Sequence, residues 1–170
     1  MVAVIAACES DALAPPVNPA DVDLPDPGLE LAAEWEGYAG HVSRGEQEGY
    51  VFFVTDDRYS ERIKNEIEVL EAYFDRSMDE ADLRFEVVEY SYRQLWGFRL
   101  ALKDRSEASE AYGGALIWWT ISPPENALTL GIHEDEAGSV PGIIEDLRAH
   151  GVPEDALTFE EGQPPEPRDP

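Results

Sequence analysis

The sequence predicts an α+β fold built from two similar strand-strand-helix-strand units joined by a helix, with antiparallel or mixed sheets covered by helices on one face. Three observations lead to this fold class. A shift of 77 residues superposes two segments with the same order of elements, as an internal duplication would. Short runs alternate apolar and polar residues like half-buried strands, and each unit carries an apolar stripe at helical spacing. We expect a folded body over residues 29–160, with the first unit at 36–90, the bridging helix at 91–112 and the second unit at 114–160.

The first unit begins with a predicted hairpin. Aromatic and β-branched residues fill 38–43 and 49–55, and a short polar run separates them. Asp56 is a candidate N-cap for one continuous helix, whose apolar positions 59, 63, 67, 70 and 74 fall on one face. Residues 83–87 then alternate apolar and charged side chains, which predicts a third strand.

The second unit repeats this order. Residues 115–121 and 128–132 are the candidate strands, Ser139 is the candidate cap of the following helix, Gly151 ends that helix, and 157–159 form the last strand. The shift of 77 places the first-unit residues Val42, Gly49, Ile63, Ile67 and Leu70 on Trp119, Asn126, Val140, Ile144 and Leu147. The offset then shortens by about five residues, so that Phe85 and Val87 correspond to Leu157 and Phe159.

The bridging helix has its own start signal. Ser91 and Gln94 stand at the spacing of a capping box, in which each side chain bonds the other residue's backbone N–H. Leu95, Phe98 and Leu102 follow at helical spacing and form one apolar seam.

The chain is strongly acidic. It has 37 acidic and 12 basic residues and a formal net charge of −25, which excludes a nucleic-acid binder or a binder of anionic membranes that works by general electrostatics. Two explanations stay open: the surface of a salt-adapted or extracellular protein, and an acidic face that matches a basic partner. The single cysteine excludes an internal disulfide framework and a thiolate zinc site.

The N-terminal residues suggest an address. Ile5-Ala6-Ala7-Cys8 has the lipobox pattern, so residues 1–7 are interpreted as a truncated signal segment and Cys8 as a lipidation site. Residues 8–28 are rich in proline and aspartate and are predicted to be a disordered acidic tether, and 161–170 a disordered tail. The expected location is extracytoplasmic, with the lipid on Cys8 as the only membrane contact. The alternatives are an incidental cysteine in a frayed terminus and a cytoplasmic protein of a salt-adapted host.

The order of these elements resembles a known family. Tyr38-Ala39-Gly40 with its hairpin, the run 84–92, the strand 126–132 and the turn Gly151-Val152-Pro153 are similar to the pro-region domains of secreted bacterial chymotrypsin-like serine proteases of the alpha-lytic and streptogrisin type. The resemblance covers about residues 36–160 and consists of structural signatures. It implies a pro-region-like fold and a protein partner. It does not imply proteolysis, because the sequence contains no Gly-Asp-Ser-Gly-Gly nucleophile segment.

No motif predicts a catalytic, cofactor-binding or metal site, and we expect no cofactor. His41 and His133 lie on different predicted strands, and His150 lies in a last helical turn, where a cation complements the helix dipole. Trp118 and Trp119 are consecutive in a strand, so their side chains point to opposite faces and at most one belongs to the core. Together with Tyr90 they are the candidate partner surface.

The sequence therefore predicts a non-catalytic interaction domain that binds a protein partner, in the manner of a pro-region or an inhibitor. Two other functions stay open. One is a carbohydrate- or peptide-binding domain that uses exposed tryptophans, and the other is a small hydrolase that uses His41 or His133 with nearby carboxylates.

Overall fold

The computed structural model describes residues 27–45, 49–108, 112 and 114–162. Five α-helices and six strands lie within these ranges: α1 Pro27–Glu34, β1 Tyr38–Ser43, β2 Tyr50–Val54, α2 Asp57–Asn65, α3 Ile67–Phe74, β3 Leu83–Val87, α4 Tyr92–Ala108, β4 Leu116–Ser122, β5 Ala127–Ile132, α5 Val140–Ala149 and β6 Leu157–Glu161. Short 3₁₀ helices at Glu80–Asp82, Glu134–Ser139 and Glu154–Ala156 precede β3, α5 and β6. The expectations for 1–7, for the tether up to residue 26, for Cys8 and for the tail from residue 163 fall outside the described residues.

The predicted α+β fold is confirmed. The strands form two three-stranded mixed sheets in the orders β1-β2-β3 and β4-β5-β6. In each sheet the first pair is antiparallel and the second pair is parallel, as a hairpin followed by a helical crossover requires. The helix α4 joins the two units, and the capping box at Ser91 and Gln94 is present, with both backbone N–H groups bonded to the opposite side chain.

Each sheet packs against helices through its own core. In the first unit, Phe52 and Val54 of the central strand pack with Leu31 of α1, Ile63 of α2 and Leu70 of α3. The equivalent core of the second unit is a cluster of Leu95, Phe98 and Leu102 from α4, Leu128 and Leu130 from β5, and Ile143 and Leu147 from α5. Val51 and Phe53, which alternate with Phe52, are also buried, so the central strand β2 is covered on both faces.

The two units correspond strand by strand, at an offset that differs from the predicted one. Tyr38 pairs with Val54 and Leu116 with Ile132, so β1 and β2 lie 78 positions before β4 and β5, and both first strands carry a bulge at the same place. Val42 therefore corresponds to Thr120 and not to Trp119. The third strands are 74 apart, because Val54 pairs with Val87 and Ile132 with Glu161, and Phe85 corresponds to Phe159. In the helices, Leu70 and Leu147 are 77 apart and both fully buried, whereas Ile63 is fully buried and its predicted counterpart Val140 is only partly buried.

The single helix expected after β2 is two helices. Glu66 separates α2 from α3, with φ −115° and ψ 35° that no helical residue adopts. Its carboxylate accepts hydrogen bonds from the indole Nε1 of Trp35 at 2.6 Å and from Arg62 at 3.1 Å. The bond from Trp35 comes from outside α2 and α3, and apolar periodicity along the helix therefore does not show the break.

The helix α1 was not predicted. It begins at Pro27, inside the expected tether, and Leu31 and Ala32 are buried in the core of the first unit. Proline is favoured in the first turn of a helix because its missing N–H has no partner there. The folded body thus begins two residues earlier than expected. The bridging helix α4 is described over Tyr92–Ala108.

No helix in the described ranges combines the length and the apolar character that a membrane span needs.

Candidate functional site

His41 lies among aromatic rings in the first unit. Its Nδ1 is 2.6 Å from the hydroxyl of Tyr38, and its ring centroid is 5.5 Å from that of Phe52 and 5.0 Å from that of Phe74. Burial in this apolar surrounding lowers the pKa of His41 to about 4, because a charged imidazole would lose its hydration there. The side chain is therefore neutral at pH 7.

The other two histidines are far from this environment. His133 is the N-cap of the 3₁₀ helix before α5, where its Nδ1 accepts a hydrogen bond from the backbone N–H of Asp135. His150 is the C-cap of α5, with Nδ1 2.7 Å from the carbonyl oxygen of Asp146. Within the described residues, no group of three or more His, Cys, Asp or Glu side chains has the geometry of a metal site.

Trp118 and Trp119 point to opposite faces of β4, as expected. Trp119 pairs with Leu130 and packs against the core that α4 and α5 cover. Trp118 pairs with Gly131, and its indole lies so close to that glycine that a Cβ atom there would overlap it. Both indoles are half-buried, so each presents only part of its surface to solvent.

The expectation for Tyr90 needs a correction, because its side chain is only 9% exposed. The ring packs against Phe98 at a centroid distance of 5.5 Å, and the hydroxyl donates a 2.7 Å hydrogen bond to Asp155. This burial raises the pKa of Tyr90 above its ordinary value. Tyr90 is thus a structural residue between β3 and α4 and not part of an accessible surface. An aromatic residue before a capping box contains no signal that would have distinguished these roles.

The exposed candidate surface lies at the edge of the second sheet. β4 is an edge strand, and within the described residues no strand pairs with its outer side. Ile117 occupies the bulge of this strand and is 39% exposed, one of two large hydrophobic residues in the described ranges with that much exposure. An unpaired strand edge with an exposed apolar side chain favours pairing with another chain.

A groove runs between this edge strand and the helix α4. Its walls are Tyr92, Trp96 and Arg99 on the helix and Trp119, Thr120 and Ile121 on the strand, and its volume is about 130 Å³. Trp119 was among the residues predicted from the sequence, and Arg99 was not. The spacing of Tyr92, Trp96 and Arg99 at positions i, i+4 and i+7 was the available signal, since such residues share one helix face.

Two further cavities adjoin α4. One, of about 290 Å³, is lined by aromatic side chains that include Tyr38, His41 and Tyr73. The other, of about 420 Å³, contains Arg58 and Arg93 together with Glu36 and Glu89, so the charges in its wall balance. Neither cavity brings a histidine together with a carboxylate in the way that hydrolysis would need.

A bidentate ion pair joins α4 to α5 in the second unit. Arg105 of α4 binds Asp146 of α5 through two hydrogen bonds of 2.9 and 2.8 Å, and the hydroxyl of Tyr112 donates a third at 2.9 Å. The guanidinium and then the phenol hydroxyl hold the pKa of Asp146 below its usual range. All three groups have partners, so this cluster is a structural clamp.

No protein-family model matches the chain, and no curated protein is significantly similar to it.

Proposed function

We propose that the chain is a non-catalytic interaction domain that binds a protein partner through the edge of its second sheet. The observation that carries this proposal is the outer side of β4, with which no strand pairs among the described residues, and Ile117, which is exposed at the bulge of this strand. A partner strand added there would satisfy the free backbone groups of β4 and cover Ile117 at the same time. The half-buried Trp119 and the groove beside α4 extend the contact beyond the backbone.

The proposed location is outside the cytoplasmic membrane, where a lipid on Cys8 holds the domain at the bacterial surface. Support comes from the lipobox pattern Ile5-Ala6-Ala7-Cys8 and from the acidic, proline-rich composition of the residues between it and α1. Two acyl chains provide stable anchoring, because each buried methylene contributes about 0.8 kcal/mol. A domain attached in this way can bind a partner that is secreted or exposed at the cell surface.

Site-specific crosslinking in cells of the native host tests the partner surface. A photo-reactive phenylalanine analogue at position 117 should give a discrete adduct with one protein. The same analogue at Glu145, an exposed position on α5, is the matched control and should not. Excess purified chain should suppress the adduct, whereas excess chain carrying Ile117→Lys, shown by circular dichroism to be folded, should not. Equal labelling from both positions would overturn the proposed function.

A further inference from the structure

The groove between α4 and β4 contains the guanidinium of Arg99, which has no carboxylate partner among the described residues. Arg99 is half-buried, and its guanidinium carbon lies 4.4 Å from the ring centroid of Trp96. Among the described residues, no carboxylate oxygen lies within 4.0 Å of this guanidinium. Arg105, which is on the same helix and also half-buried, donates from Nε and from Nη2 to the two carboxylate oxygens of Asp146. Other described cations, such as Arg76 of the first unit, also lack an ion pair among the described residues, so Arg99 differs from them by its place in the groove beside β4.

A second donor in the groove wall also lacks a partner. Trp96 is 5% exposed, and its indole Nε1 is buried without a hydrogen-bond acceptor among the described residues. Buried donors are normally bonded, since an unsatisfied one costs about 1–3 kcal/mol. The Nε1 atom of Trp96 has almost no accessible surface, so the polar group that a ligand in the groove can reach is the guanidinium of Arg99. A guanidinium is a donor only, and the ligand that complements it is an acceptor, above all an anionic one.

The open edge of β4 determines how such an acceptor arrives. A peptide that pairs with this edge lies in the plane of the sheet and directs alternate side chains toward the face that α4 covers. Trp119 and Ile121 point to that same face and form the floor of the groove. A side chain of the added strand would therefore enter beside Arg99, whereas a terminal carboxylate would continue in the plane of the sheet, away from the guanidinium.

We propose that this groove recognises an extended peptide segment of the partner that carries a glutamate or aspartate, whose side-chain carboxylate binds Arg99 while its backbone pairs with β4. This inference rests on the proposed function and names the chemistry of the partner segment. Arginine suits the role because its planar donors match a carboxylate with two parallel hydrogen bonds.

The net charge of −25 gives this interaction an unusual salt dependence. Repulsion between an acidic peptide and the rest of the protein acts over long distances and is screened beyond about 8 Å at physiological ionic strength. The contact with Arg99 is short and half-buried, so salt weakens it less. Affinity should therefore rise between 10 and 150 mM salt, opposite to the trend for an exposed ion pair.

The test uses the purified chain and a defined probe. The probe is a seven-residue peptide of alternating threonine and valine with a central glutamate, acetylated and amidated at its ends. Its matched control has glutamine at the centre, and a third peptide has central glutamine and a free C-terminal carboxylate. Binding is followed by the indole N–H signals of Trp96 and Trp119 in NMR spectra. The glutamate peptide should bind about tenfold more tightly than both others.

Variants assign the effect to one side chain. Arg99→Gln should reduce the affinity for the glutamate peptide to that of the glutamine peptide. Arg76→Gln is the matched control, because Arg76 is also half-buried and also stacks on a ring, that of Tyr50 at 5.5 Å, but lies in the first unit. It should leave the affinity unchanged.

Several results would overturn the inference. These are equal binding of the glutamate and glutamine peptides, preference for the free C-terminus, equal losses from the two arginine variants, or shifts of the same indole signals by an oligosaccharide such as cellotetraose. Failure here is distinguishable from failure of the proposed function. If the crosslink from position 117 persists unchanged in the Arg99→Gln chain, the partner uses the strand edge without the groove.

Discussion

Asn126 bonds both backbone groups of Tyr90: its Nδ2 donates to the Tyr90 carbonyl oxygen at 2.7 Å, and its Oδ1 accepts from the Tyr90 N–H at 2.7 Å. Tyr90 follows the last strand of the first unit, and Asn126 lies in the turn before β5 of the second. The side chain of Asn126, a residue that is 8% exposed, therefore links the two units. The backbone of Asn126 has φ 51°, in the left-handed region.

Substitution of Asn126 should destabilise the whole chain. Asn126→Ala leaves two buried backbone groups unsatisfied and adds the strain of a left-handed alanine, for a total cost of about 2–4 kcal/mol. Asn126→Gly removes the same bonds without the strain and should cost about 1 kcal/mol less. Urea unfolding measures both. Equal stability of the wild type and the alanine variant would contradict the role of this contact.

Replacement of glycine by alanine should lower the stability of the protein at one position and raise it at another. Gly131→Ala should destabilise the second sheet, because the added methyl group overlaps the indole of Trp118 and forces it to move. Gly142→Ala is the control: it lies within α5 with nothing in 4 Å of the added Cβ, and it should stabilise by about 0.5–1 kcal/mol. Thermal unfolding of the two variants decides the question. Stabilisation by Gly131→Ala would show that Trp118 does not pack there.

Acid should weaken the folded state through His41. In the unfolded chain its pKa is near 6.5, and in the folded chain it is about 4, so the unfolded chain binds more protons between these values. Stability contributed by neutral His41 is complete above pH 6.5 and falls with decreasing pH down to about 4, with a slope of up to about 1.4 kcal/mol per pH unit. His41→Phe should remove this slope in urea unfolding from pH 6.5 to 4.5. His150→Ala should retain it.

A second loss of stability should appear at lower pH. The folded pKa of Asp146 lies below its unfolded value near 3.8, so its contribution is present above that value and is lost as pH falls through the folded pKa. At pH 7, Asp146→Asn should cost about 1–3 kcal/mol, because Arg105 and the Tyr112 hydroxyl lose a charged acceptor. Below pH 4, the free energy of unfolding of the variant should fall less steeply with decreasing pH than that of the wild type. An unchanged acid profile would show that the clamp does not contribute.

Replacement of the cysteine tests the proposed anchor. In the native host, Cys8→Ser should move the protein from the membrane fraction to the soluble fraction, because no acyl chains can be attached. Intact-mass analysis should show diacylglycerol on Cys8 as the first residue of the mature wild type. Detection of an unmodified Met1 or Val2 terminus on protein from its own host would refute lipidation.

The order and type of most elements could be predicted because apolar periodicity reflects burial directly. The offset of 77 matches Leu70 with Leu147, which are both fully buried, but it pairs the buried Ile63 with the half-buried Val140 and is one residue short for the first two strands of each sheet. Asp56 and His133 are the N-caps of the helices that follow β2 and β5, and each accepts a hydrogen bond from the backbone N–H two residues later. The N-cap follows β5 one residue sooner than it follows β2, so a single offset cannot describe the strands and the caps together.

Contacts distant in sequence were out of reach. Arg105 and Asp146 are 41 positions apart, and charged residues on a solvated surface follow no period that would pair them. Arg99 belongs to the same class: its place over Trp96 follows from helical spacing, but the groove also needs β4 at a particular height against α4. Similarly, α1 was missed because residues 27–34 follow a proline-rich run whose composition is typical of disorder.

Each unit contains a hydrogen bond from an aromatic side chain to a carboxylate, with different residues in the two units. Trp35 and Tyr112 both lie just before the first strand of their unit. Trp35 donates to Glu66 at the break between α2 and α3, and Tyr112 donates to Asp146 on α5. In the first unit the donor is an indole and the acceptor is a glutamate. In the second unit the donor is a phenol and the acceptor is an aspartate, whose side chain is shorter. Each unit therefore has an aromatic donor before its first strand and a carboxylate acceptor after its second strand, with the donors 77 and the acceptors 80 positions apart. A chimera that moves a helix from one unit to the other must also move the aromatic partner of its carboxylate. Otherwise an indole would face an aspartate, or a phenol a glutamate, and the two side chains would span a different distance.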